Sequence, residues 1–297
     1  MTDGTGKRPG SVLRGLAWMA LAAFGSSVMN AIIQALGASI HPFEIAFFRN
    51  LFGFAALLPL LARAGPEALR TSRLPLHALR GILNAVAMLS FFYALPITPL
   101  AEVAALSFTS PLFATLLAML VLGEPVGIRR GVGVLVGFAG ALIIIRPGFE
   151  AVSLGTFLLL LSAAAWSAAL IDIKVLSRTE TSLAITLYAT LFLTPITLVC
   201  ALPFWTWPEP HQWLLLAAVG GLGSMVQMSV AQAFHEADAS QVLPLDFTKL
   251  IWAALIGWFA FAQPLDFWVL LGGAVIFSSV TYIAWREARL RKAPPKS

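Results

Sequence analysis

A single cysteine, Cys200, stands among 297 residues, so no internal disulfide can form and redox pairing is excluded. The four histidines are scattered, and none belongs to a paired-histidine or Cys/His motif of the kind that holds zinc. No metal and no cofactor is therefore expected. Charge is equally scarce. Asp, Glu, Lys and Arg make up 11% of the chain against 59% hydrophobic residues, too little polar surface to clothe a water-soluble core. The alternation of a membrane barrel is missing too, because runs such as residues 154–170 are apolar around their whole circumference. No connection between hydrophobic runs is long enough to hide a soluble domain.

What the chain has is ten apolar runs, each close to the roughly 20 residues that a helix needs to cross hydrocarbon. They cover residues 14–36, 43–62, 76–95, 101–122, 131–145, 154–176, 183–204, 213–234, 240–262 and 265–285. Breakers punctuate them: Gly65-Pro66, Pro96 with Pro99, Pro125, Pro147-Gly148, and Pro208 with Pro210. Pro111 and Pro195 fall inside runs, where each frees a backbone carbonyl and favours a kink. Sixteen of the 19 Lys and Arg residues fall at one set of ends, Arg146 alone falls at the other, and Arg49 and Lys249 lie inside runs. The positive-inside rule then places both termini in the cytoplasm, in a bacterial-type cytoplasmic (inner) membrane. The net charge of +5 follows the loops and is no nucleic-acid footprint. The segment with His235, Glu236 and Asp238 is the exception to the bias. A basic start before an apolar run also fits a cleaved signal peptide, a reading that the internal repeat opposes.

Sliding the chain by 139 residues lays Phe108-Thr109 on Phe247-Thr248, Pro125 on Pro264 and Gly133 on Gly272. A shift of 142 lays the first run on the sixth, with Phe24 on Trp166, Ser26 on Ala168 and Asn30 on Asp172. These matches predict an all-α integral membrane protein of ten helices in two five-helix halves, residues 1–148 and 149–297. Five being odd, the second half is inverted, an arrangement that secondary transporters use to hold substrate between the halves near the midplane.

Three stretches carry a more specific likeness: His41-Pro42-Phe43-Glu44-Ile45-Ala46-Phe47-Phe48-Arg49; Ser110-Pro111-Leu112-Phe113 with Leu122-Gly123-Glu124-Pro125 and the glycine-rich run after it; and Ala165-Trp166-Ser167. The chain thereby resembles the EamA-type branch of the drug/metabolite transporter superfamily along essentially its whole length. The resemblance implies export of small metabolites such as amino acids, nucleosides or drug-like compounds by alternating access, with the aromatic amino acid exporters most alike. Ala262-Gln263-Pro264 stands where the second half of the family usually has Glu.

Polar residues inside apolar runs mark the expected substrate cavity, because each costs on the order of 3 kcal/mol in hydrocarbon unless it meets a partner or water. Asp246 and Lys249 are three apart on one helix face, beside Thr248. The pair either binds the charged ends of a zwitterion or merely neutralises itself. Asn30, Asn84, Tyr93, Trp166 and Gln227 complete the cavity set, each equally able to act as interhelical glue. Asp172 either joins them or pairs with Lys174 at the interface. Arg49 reads as an anchor or gate residue within snorkelling reach of the outer interface. Trp205, Trp207 and Trp213 read as an interfacial belt. Gly131, Gly133, Gly137 and Gly140 predict a tightly packed fifth run, either scaffolding or a homodimer contact, and proton coupling is left open. The rivals are a non-transporting membrane scaffold and an intramembrane enzyme. For the latter Ser224 needs a histidine, and His235 is eleven residues on, about 16 Å along a helix.

Overall fold

The computed structural model describes residues 12–64, 71–122, 128–146, 152–176, 179–180, 182–237, 242 and 245–292. Gly123-Glu124-Pro125 and both chain ends lie outside the described residues. In hydrocarbon every backbone group must find its partner within the protein, so the apolar runs become helices. These are α1 (Val12–Leu36), α2 (Pro42–Ala64), α3 (Leu74–Ile97), α4 (Leu100–Ser107), α5 (Ser110–Leu122), α6 (Ile128–Ile145), α7 (Leu154–Leu176), α8 (Ser182–Ala201), α9 (Pro210–Glu236), α10 (Thr248–Phe261) and α11 (Phe267–Lys292). α4 and α5 are two pieces of one segment and α10 ends the ninth, so the eleven helices make ten segments; among the described residues seven are long and apolar enough to cross a membrane, and α6 and α10 are shorter apolar helices. α8 runs unbroken through Pro195.

The fourth crossing breaks at Phe108-Thr109. Pro111 supplies no N–H, and the Phe108 amide reaches back to the Ala105 and Leu106 carbonyls, tightening the last turn of α4. The Thr109 hydroxyl donates to the Leu106 carbonyl at 2.7 Å. The Thr248 hydroxyl donates to the Leu245 carbonyl at the same 2.7 Å, beside the matching break at Phe247. The breaks meet: the Phe108 and Phe247 rings lie 5.7 Å apart, and Phe277 stacks on Phe247 at 4.3 Å. A pseudo-twofold axis therefore passes between two interrupted helices.

The rest of the chain obeys the same axis at shifts of 139–140. Ser27 donates to the Lys249 and Ala23 carbonyls, and Ser167 donates to the Ser110 and Ala163 carbonyls. A Cβ on Gly81 would strike Phe192, and one on Gly220 would strike Phe52. Gly15 lies against Ala237, and Gly155 against Thr98. These pairs correct the register of the first crossing on the sixth from 142 to 140. Asn30 corresponds to Leu170, and Trp166 to Ser26. Asp172 is therefore no counterpart of Asn30.

Neighbouring helices close a ring in the order α1, α9, α2, α8, α3, α7, α4 with α5, and α10, while α6 and α11 pack on each other beside α4. The α6–α11 seam uses Gly133, Gly137 and Gly140 of the predicted glycines, whereas Gly131 has nothing within 4 Å of its Cβ position. A Cβ on Gly140 would sit 2.8 Å from the Gly272 carbonyl oxygen, Gly133 lies against Ile283, and Gly272 against Ile144. Of the expected interfacial tryptophans only Trp207 is freely exposed, at 78%. Trp205 and Trp213 instead pack their rings on Phe48, because that end of the bundle is filled by aromatic side chains.

Candidate substrate cavity

One end of the ring is closed by amides. Gln34 of α1 donates to the Leu95 and Thr98 carbonyls at 3.1 and 3.0 Å. Gln263 donates to Gln34 Oε1 at 3.2 Å and accepts the Leu100 N–H at 2.9 Å. Four crossings are thus tied at one point, and the residue that departs from the usual Glu supplies both a donor and an acceptor. A glutamate accepts but cannot donate. Gln263→Glu leaves two acceptors facing each other, at a cost of roughly 1–3 kcal/mol. The expected result is a melting temperature in detergent lowered by a few degrees, measured against wild type.

An aromatic layer covers the same end. His41 stacks on Phe204 at 3.9 Å, and Tyr93 lies 5.9 Å from Phe43 and 6.1 Å from His41. Burial holds the His41 imidazole below its ordinary range. Glu44, fully buried, accepts the amide and hydroxyl of Thr206, both at 3.2 Å. The large hydrophobic cluster reaches this end through Ile33, Leu36, Phe48, Leu95, Leu100 and Leu216 and continues along the helices to Val134 and Ile283. A second, small cluster of Met19, Ala233 and Val242 lies toward the chain termini. The ring is sealed where the α1–α2 and α3–α4 connections lie.

Helical geometry says which side chains face inward. With about 3.6 residues per turn, Trp166 falls between Ser162, which donates to Ala87 of α3, and Ser167, which bonds Ser110 of α5. It therefore points between those two helices into the ring, and it stays 41% exposed. Asn30 occupies the corresponding sector of α1, between Ser27 on α10 and Gln34 at the seal, and its Oδ1 is buried without a partner. Asn84 of α3 shares a face with Met88, which meets Asn50 of α2, and its Oδ1 is likewise unpartnered. Gln227 on α9 is exposed. Lys249 Nζ lies 2.5 Å from Asp246 Oδ1, and both side chains remain partly open at 28% and 21%. This ion pair flanks the Phe247 break, with Thr248 between. Tyr93 stands apart in the aromatic layer.

Two polar groups escape a reading from hydropathy. Arg49 does not snorkel to the interface. Its Nη1 donates to Asn50 Oδ1 at 3.3 Å, and its Nε and Nη2 overlie Gly223 of α9. The second group joins α3 to the α7–α8 connection. His77 is fully buried 3.9 Å from Glu180, whose Oε1 accepts the Thr71 hydroxyl at 2.8 Å, and Arg80 donates to the Ile185 carbonyl. Asp172 is buried close enough to Arg80 for their charges to interact, so its counter-charge lies on α3. A separate groove of about 380 Å³ between α6 and α11, lined by Val132, Gly133, Val136, Ser278, Ser279 and Tyr282, lies outside the ring.

A family model described as the EamA-like transporter family matches residues 13–146 and again residues 153–285. An S-adenosylmethionine uptake transporter of Rickettsia prowazekii (strain Madrid E) is 31% identical over 279 residues, covering 93% of this chain and 94% of its own. A riboflavin transporter of Vibrio cholerae is 33% identical over 288 residues, covering 94% and 96%. The pseudopaline exporter CntI of Pseudomonas aeruginosa is 31% identical over 261 residues, covering 86% and 90%. A solved crystal structure at 18% identity superposes with a TM-score of 0.61 over 95% of this chain and 98% of its own, which supports the fold alone.

Proposed function

Because the chain belongs to the EamA-like transporter family, we propose that it exports small metabolites that join a flat ring to an amino-acid end, by alternating access across the cytoplasmic membrane with both termini inside. The aromatic amino acids are the smallest members of that class. S-adenosylmethionine, the substrate named for one set of relatives, has the same two parts, an adenine ring and an amino-acid terminus. The observation that carries the reading is the pairing of an inward-facing, partly open Trp166 with the partly open Asp246–Lys249 ion pair at the helix break. An indole face stacks on a ring, and two opposite charges suit a zwitterion. Asn30, Asn84, Gln227 and Thr248 belong to the same lining, and Tyr93 to its sealed rim. The substrate lies between the halves 1–148 and 149–297, which exchange the sealed and open ends as they rock.

Relatives named for uptake and for export leave direction to the driving gradient, and a proton gradient is the natural first test. The experiment is flux in liposomes containing the purified protein, with phenylalanine, tryptophan, S-adenosylmethionine and riboflavin, each with and without a proton gradient. Saturable flux of the first three is expected. Riboflavin has a ring system and no amino-acid end, so flux of riboflavin alone would overturn the substrate class and leave the transporter.

A further inference from the structure

Charges within a membrane-spanning fold are rarely left without an opposite charge, and this fold separates its cations sharply on that count. Lys249 has Asp246, and Arg80 faces Asp172. Arg49 has no carboxylate partner among the described residues. Its nearest acidic residue along the chain, Glu44, is engaged by Thr206. The guanidinium is nonetheless held. Nη1 donates to Asn50 Oδ1 at 3.3 Å, and Asn50 is fixed by Met88 Sδ and the Thr197 hydroxyl, both at 3.4 Å. The remaining edge, Nε with Nη2, is the one that presents two parallel donors to a carboxylate. Nε is buried and unpartnered.

That side is covered by a glycine and not by a side chain. Gly223 stands opposite the free edge, and a Cβ there would lie 3.4 Å from Nε and 3.5 Å from Nη2. Gly53, one turn further along α2, has nothing within 4 Å of where its Cβ would be. Phe52 contacts Gly220 of α9 and Asn50 contacts Thr197 of α8, so Arg49 and Gly53 fall in the sector of α2 that faces the ring interior between those neighbours. A fixed, half-satisfied guanidinium, with no side chain over its free edge and open space one turn away at Gly53, is suited to an anion.

The geometry points to Arg49, positioned by Asn50 and given space by Gly223 and Gly53, as the subsite that receives the carboxylate of the transported metabolite. The inference rests on the substrate class proposed above and adds which residue reads the acid end. The Asp246–Lys249 pair is then left to the ammonium end.

The test is equilibrium binding to the full-length protein in detergent, followed by thermal shift, with phenylalanine and its uncharged-acid counterpart phenylalaninamide. Charge-assisted bonds to a carboxylate predict at least about a tenfold preference of wild type for phenylalanine. Arg49→Gln is expected to erase that preference while leaving phenylalaninamide binding within about twofold. Loss of both ligands alike would mark a structural role and overturn the subsite, as would retention of the preference. If Arg49→Gln does not fold, Gly223→Ala serves. Its added methyl meets Arg49 at ordinary contact distance, so the protein folds, and crowding of the fork lowers phenylalanine binding several-fold more than amide binding. An unchanged preference in Gly223→Ala overturns the proposal, and so does a wild type that binds neither ligand or both equally. Failure of the substrate class shows separately, as absent liposome flux for every amino-acid-bearing compound.

Discussion

Lys249→Ala and Asp246→Ala each lose at least about nine-tenths of transport per folded molecule, and the double variant regains folded yield without regaining transport. The ion pair is short, at 2.5 Å, and flanks a helix break where the backbone is already irregular. Removing one partner strands the other charge in a low-dielectric setting, which costs several kcal/mol when burial is complete. Here both side chains are partly open, and the stability loss is correspondingly smaller, about 1–2 kcal/mol. Removing both charges relieves that strain, so the singles and the double are non-additive in stability. Transport behaves differently if the pair meets substrate, because the double variant still lacks the charges that engage it. The measurement is flux normalised to monodisperse protein for all three variants. Full flux in the double variant would reduce the pair to a structural one.

Gly272→Leu is expected to prevent recovery of folded protein altogether, or nearly so. Its Cβ would lie 2.5 Å from the Gly140 carbonyl oxygen and 2.6 Å from Ile144 Cγ1. The first neighbour is backbone and cannot rotate away, so α6 and α11 must separate. Overpacking that a side chain could absorb costs typically 1–3 kcal/mol, and separating two helices held by close backbone approach costs more. Gly131→Leu, on the partner helix α6, is the control, because nothing lies within 4 Å of the added Cβ. Fluorescence-detected size-exclusion of both variants compares the yields directly. Equal recovery of monodisperse protein would show that the seam is not close-packed.

Hydropathy made the crossings legible, and positional identities such as Phe108-Thr109 with Phe247-Thr248 made the repeat legible. The register of the first crossing on the sixth was harder. In helices rich in Ala, Leu and Ser, chance matches at 142 compete with the match at 140, and the shared bonds of Ser27 and Ser167 and the matching contacts of Gly15 and Gly155 separate them. The breaks had a partial signal. Pro111 marked the first, yet Pro195 stands in an uninterrupted helix, because a proline ring alone does not decide whether a helix breaks. Arg49 was visible as a charge within a crossing, but length measured from the span end suggested a route to the interface. What turns it inward is a bond to Asn50 and a gap in another helix at Gly223, neither of which is local in sequence. Asp172 gains a neighbour that sequence proximity does not show, Arg80 of α3.

The amide seal has one more implication once the register is known. Carried through the same shifts, Gln34 corresponds to Lys174 and Gln263 to Glu124. A neutral latch at one end of the molecule thus has, in sequence, an ionic counterpart assigned to the other. Amide contacts are nearly indifferent to dissolved salt, whereas an attraction between exposed charges fades as ionic strength rises. If the halves close their two ends in turn, as proposed above, electrolyte is expected to weigh on one closure and to spare the other.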